Sequence, residues 1–82
     1  MKINESKLKE YLYNDEIERF DTLEEYLQFI NEERHLFYYK EYPKPFRTFE
    51  EARALGWKYQ FEHKGAYYWI YFDECFDVYE EE

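Results

Sequence analysis

Apolar and polar residues alternate with two different periods along this chain, and the change from one to the other divides it. From residue 20 the apolar positions Leu23, Tyr26, Leu27 and Ile30 recur at helical spacing, with Glu24, Glu25, Gln28, Asn31 and Glu32 on the other side. Thr22 and Glu25 form a capping box ahead of them, with Asp21 and Glu24 as the alternative one residue earlier, so the pattern predicts a helix over 20–33. Asn4, followed by Leu8, Tyr11 and Leu12, predicts a shorter helix near the start. Ile17 and Phe20 are read as a brief further turn of helix. A third helix, about 48–55, starts at Thr48 and stops at Gly56, where a left-handed residue is wanted.

Residues 36–42, Leu-Phe-Tyr-Tyr-Lys-Glu-Tyr, are rich in strand formers and end at Pro43 and Pro45, which cannot donate to a ladder. After residue 56 the period becomes two. Trp57, Tyr59, Phe61 and His63 alternate with Lys58, Gln60 and Glu62, and Lys64-Gly65 supplies a two-residue turn. The hairpin register that follows pairs 63 with 66, 61 with 68, 59 with 70 and 57 with 72. It places Trp57, Tyr59, Phe61, Tyr68, Ile70 and Phe72 on a core face. Tyr67, Trp69 and Tyr71 fall on the opposite face among polar partners and are read as a half-wet surface. Residues 75–79 are a candidate third strand, with Asp73-Glu74 as the turn and the side assignment left open. The expected fold class is α+β: one domain over 1–82, frayed at 80–82, with an antiparallel sheet of three to four strands. Two to three short helices are expected to back that sheet on one face.

Charge changes the picture. Twenty acidic against eleven basic residues give a formal net charge of −9, and the last eighteen residues hold six acids and no base. Such a field repels phosphates and attracts basic surfaces, so direct nucleic-acid binding is disfavoured despite the stacking aromatics. An aromatic content of 26% supplies the buriable area that a disordered acidic chain lacks.

Candidate chemistry is sparse. His35 and His63 stand apart and are assigned structural or solvated roles, and no pair of ligands has zinc-finger spacing. Cys75 is the only cysteine, set among Asp73, Glu74 and Asp77, which disfavour its thiolate, and is read as a buried inert thiol. Gly56 and Gly65 stand alone, so no phosphate-cradling loop is present. No catalytic residue, cofactor or metal is expected, and the chain is read as a non-enzyme. One cysteine, no apolar leader and no membrane-length run predict a cytoplasmic protein without a membrane partner.

What remains is binding. Tyr67, Trp69, Tyr71, Asp73, Glu74 and Asp77 form the expected partner-binding surface, with Glu24, Glu25 and Glu32 as a second acidic patch. The partner is a protein with a basic surface, and the expected function is to block a nucleic-acid-binding site on it. In size, charge and aromatic content the whole chain resembles the small acidic inhibitors of bacteriophages: DNA mimics, anti-restriction proteins and anti-CRISPR proteins. That likeness carries no residue roles with it. A general interaction module, such as an immunity or antitoxin-like protein or a small accessory subunit, is the alternative, and the same aromatic patch also suits a homodimer.

Overall fold

The computed structural model describes residues 2–33, 45–53 and 56–80; of Trp57 it describes the backbone alone. The expected strand at 36–42 and His35 lie outside these residues. In chain order the elements are β1 (Lys2–Ile3), α1 (Glu5–Tyr13), β2 (Ile17–Phe20), α2 (Leu23–Glu33), α3 (Phe49–Ala52), β3 (Gln60–His63), β4 (Ala66–Ile70) and β5 (Tyr79–Glu80). Short 3-10 segments precede β3, over Trp57–Tyr59, and β5, over Asp73–Val78. The fold is α+β, with a three-stranded antiparallel sheet in the order β2-β4-β3 and a two-stranded one formed by β1 and β5.

The helix starts follow from their caps. The Asn4 side chain accepts from the Lys7 amide at 3.1 Å, Thr22 Oγ1 from Glu25 at 3.1 Å and Thr48 Oγ1 from Glu51 at 3.1 Å. Each removes one of the orphan donors of a first helical turn. At its other end α1 closes on a left-handed residue. Asp15 has φ 59°, the Asp15 amide donates to Leu12 and the Glu16 amide to Tyr11 at 2.9 Å, a Schellman closure without glycine.

The hairpin register is the expected one, with His63 opposite Ala66 and Phe61 opposite Tyr68. Lys64 and Gly65 both take positive φ, 52° and 80°, as the turn twist demands. The ladder, however, starts only at Gln60, because Trp57–Tyr59 wind into a 3-10 turn; the pairs 59 with 70 and 57 with 72 do not form. Gly56 opens that turn at φ 139°, ψ 106° instead of holding a left-handed helix cap, and a β-carbon there would sit 2.8 Å from the Tyr59 ring.

Three expectations are overturned. Ile17–Phe20 is not a helical turn but strand β2, pairing Ile17 with Ile70 and Phe20 with Tyr67. Residues 75–79 do not extend the hairpin. Asp73–Val78 turns as a 3-10 segment that buries Cys75 and Val78, after which Tyr79–Glu80 pairs with Lys2–Ile3. The sheet is also covered on both faces. On one side Leu8 and Tyr11 of α1, with Cys75 and Val78, pack on Ile17, Phe61, Ala66, Tyr68 and Ile70. On the other, Tyr26 and Ile30 of α2, with Phe46 and Ala52, pack on Phe20 and Trp69. Strand β4 is central and contributes to both cores, so it is apolar on both faces, as a doubly covered strand must be.

Polar ties hold the second core in place. Asn31 acts as a substitute backbone, donating to the Phe46 carbonyl at 2.9 Å and accepting from the Phe46 amide at 2.6 Å. Buried Gln60 donates to the Ala52 carbonyl at 2.7 Å and accepts from the Tyr26 hydroxyl. On the opposite side Glu5 meets His63 and, at 3.2 Å, Lys64, which ties the first turn of α1 to the hairpin and holds the Glu5 carboxyl below its usual range.

A candidate acidic interaction surface

The residues expected to form one surface divide three ways. Trp69 is only 3% exposed, stacked at 5.9 Å on Tyr59 in the second core. Tyr67 is half-buried, its ring 5.4 Å from Phe49 and 6.0 Å from Tyr26. Only Tyr71 faces outward, at 40% exposure. The supposed wet face of the hairpin is therefore roofed by α2 and α3, and the aromatic part of the expected site reduces to Tyr71. Phe72, assigned to the core by parity, is 51% exposed, because the regular strand stops at Ile70.

The acids also separate. Glu24 and Glu25 occupy the first turn of α2, where the helix dipole favours carboxylates and Glu25 completes the cap. That position accounts for them without a partner. Glu32 is exposed near the other end of α2 and accepts from Gln28 at 3.3 Å. Asp73, Glu74 and Asp77 are exposed on the 3-10 segment after β4.

The end of the sheet where β4 finishes and β2 and β3 begin gathers more carboxylates than the sequence reading assigned to it. Asp15, Glu16 and Glu18 arrive with β2, because Ile17 pairs with Ile70 and the Tyr71 amide donates to the Glu16 carbonyl at 3.0 Å. The last turn of α2 brings Glu33, since the Phe29 ring meets Tyr71 edge-on at 6.4 Å. Burial together with the negative charge of Glu18, Glu33 and Asp15 pushes the Tyr71 hydroxyl well above the usual tyrosine range. A strand reading of Ile-Glu-Arg-Phe at 17–20, bounded by turn formers Asn14-Asp15 and Asp21-Thr22, was the signal that would have placed Glu16 and Glu18 here.

These carboxylates share a way of being held. The Tyr71 hydroxyl donates to Glu18 Oε1, Tyr59 to Asp73 Oδ1 and Tyr11 to Asp77 Oδ1. Cys75 Sγ lies 3.6 Å from Glu16 Oε2, and burial followed by the charge of Glu16 pushes its thiol up to about 11. Each donor is neutral, so it orients the acid without itself cancelling the charge. Lys7 reaches Asp77 Oδ2 at 3.5 Å, and Lys58 lies 5.9 Å over the Phe76 ring. The arrangement is a negatively charged surface that also exposes the Tyr71 and Phe72 rings.

Among the described residues no group of three His, Cys, Asp or Glu side chains is placed to hold a metal ion, and no helix is long and apolar enough to cross a membrane. Comparison with family models, with curated proteins and with solved structures finds no match in any of the three.

Proposed function

We propose that this is a non-catalytic binding protein that uses the acidic end of its sheet to occupy a basic nucleic-acid-binding surface of another protein. It would do so in the cytoplasm, in the manner of the small phage inhibitors of restriction and CRISPR systems. The observation that carries the reading is the use of tyrosine hydroxyls to fix Glu18 and Asp73, and to share Asp77 with Lys7. Neutral donors give order without cancelling charge. Preorganised charge is what fast, specific recognition of a basic surface requires, and immobilised carboxylates lose less entropy on binding. Folding alone gives no reason to concentrate Asp15, Glu16, Glu18, Asp73, Glu74 and Asp77 at one end, since like charges repel there.

Binding is by blocking and involves no turnover. The test is capture of partners from a bacterial lysate on the immobilised protein, followed by challenge with duplex DNA or RNA. Nucleic acid should displace the partner competitively, and the triple variant Asp73→Asn, Glu74→Gln, Asp77→Asn should bind more weakly with a shallower salt dependence. A partner that keeps its nucleic acid in the complex points instead to a general interaction module. Unaltered affinity of the triple variant at low salt removes the mimicry reading.

A further inference from the structure

A cleft of about 250 Å³ opens between α3 and β3, lined by Phe49, Glu50, Arg53, Gln60, Phe61 and Glu62. Its floor is neutral. Gln60 and Phe61 are buried, and the Gln60 side chain is already engaged by the Tyr26 hydroxyl and the Ala52 carbonyl. Phe49 and Arg53 are half-buried, whereas Glu50 and Glu62 are exposed. The charge of the cleft therefore comes from one arginine and two glutamates.

These three charges do not neutralise one another. Glu50 and Arg53 stand three apart on helical backbone, the spacing at which opposite charges meet across one turn. The guanidinium instead lies over the Phe49 ring, 5.9 Å from its centroid. Among the described residues neither Arg53 nor Glu50 nor Glu62 has an ion pair. A guanidinium held over a ring keeps its fork of N–H donors for a carboxylate, and the two glutamates remain acceptors for an ammonium.

We propose that this cleft binds a free α-amino acid with an apolar side chain. Its carboxylate sits on Arg53, its ammonium on Glu50 and Glu62, and its side chain against Phe49. A simple anion is repelled by the two glutamates and a simple cation by Arg53, whereas a molecule that carries both charges is matched by each. Size points the same way. Pockets for drug-sized ligands begin at about 300 Å³, so this smaller cleft suits an amino acid and not a nucleotide. The site shares no charged residue with the acidic surface and goes beyond the function proposed for it. Because Glu50 and Arg53 belong to α3 and Glu62 to β3, a ligand that spans them also fastens this short helix to the sheet.

The probe is L-leucine, added to the full chain and followed by backbone amide shifts and by calorimetry. It should bind with a dissociation constant on the order of 1 mM and move the amides of Glu50, Arg53 and Glu62. L-Leucinamide keeps the ammonium without the carboxylate, and N-acetyl-L-leucine keeps the carboxylate without the ammonium. Each should bind at least about tenfold more weakly than leucine. Arg53→Gln should weaken leucine binding to the same degree, with its amide spectrum reporting that it stays folded. The analogue series needs no variant, so it reads recognition apart from folding. Leucinamide that binds as well as leucine reduces the cleft to a cation site, and N-acetyl-leucine that does so reduces it to an anion site. Either result overturns the proposal. So does the absence of shifts at these residues with about 20 mM leucine, a large excess over the expected constant.

Discussion

The Tyr26 hydroxyl donates to the side-chain oxygen of Gln60 in the interior between α2 and the sheet, and both residues are essentially fully buried. Gln60 passes the link on, since its amide nitrogen donates to the Ala52 carbonyl at 2.7 Å. One side chain thereby ties α2, α3 and β3. Tyr26→Phe leaves the Gln60 oxygen unpaired and is expected to cost about 1–3 kcal/mol, as is Gln60→Leu, which orphans the hydroxyl and the carbonyl. The double variant should lose less than the sum of the two, measured by denaturant unfolding.

Removing the tethers tests whether order, apart from charge, matters for binding. Tyr11→Phe, Tyr59→Phe and Tyr71→Phe remove the hydroxyl donors from Asp77, which keeps Lys7, and from Asp73 and Glu18, without changing the net charge. Each exposed or part-exposed bond is expected to be worth no more than about 1 kcal/mol of stability. The triple Phe variant should stay folded, keep the salt dependence of partner binding and bind more weakly. A variant that binds as tightly as the parent shows that the carboxylates need no fixing.

Trp69 and Tyr71, two residues apart on one face, should behave as opposites. Trp69→Ala empties the second core and is expected to cost about 3–5 kcal/mol, a large part of the stability of so small a domain. Tyr71→Ala, at a side chain 40% exposed, should cost much less in thermal unfolding but more in partner affinity.

High pH should unfold the protein through its tyrosines. Tyr26 and Tyr71 are raised from 10.0 chiefly by burial, Tyr11 by its bond to Asp77, and burial pushes Tyr79 up to about 12. A phenol whose folded pKa lies above its unfolded one holds its proton in the fold after the unfolded chain has released it. The stability is therefore fully present below pH 10 and declines as pH rises past 10 towards and beyond 12. Near-ultraviolet absorbance of phenolate should rise for these four together with loss of structure.

Asp15 closes α1 in a left-handed conformation, φ 59°, that glycine adopts without strain. Asp15→Gly is expected to raise stability by about 0.5–1 kcal/mol and Asp15→Ala to lower it. Thermal unfolding of the two variants separates them. If the acid at this position serves binding, Asp15→Gly should also weaken the partner complex, so that stability and affinity move in opposite directions.

Local signals were legible in the chain and long-range ones were not. The caps at Asn4, Thr22 and Thr48 and the register from His63–Ala66 need only neighbouring residues, and all are as the sequence predicts. Strand β2 has four residues and pairs with a partner some fifty positions away, Ile17 with Ile70, so no local period announces it. The two faces of β4 follow from parity, but which of them is covered depends on where α2 and α3 dock. Gln60 was misleading there: a polar residue beside Trp69 suggested water, whereas its amide is satisfied entirely inside. The acidic C-terminal run was visible from composition. Its joining to Asp15, Glu16 and Glu18 awaited the β2–β4 pairing.

Strand β4 sends Ala66, Tyr68 and Ile70 into one core and Trp69 into the other. It is a party wall, and neither room can be dismantled while the other stands. Damage on one side is then felt on the other, because loosening Trp69 frees the backbone that also aligns Ile70 with Ile17. The acidic end hangs from this same wall, with Glu16 bonded to Tyr71 one residue past the strand. The geometry of the surface is thus inherited from the cooperativity of the whole molecule, and it should vanish in the same transition as the fold.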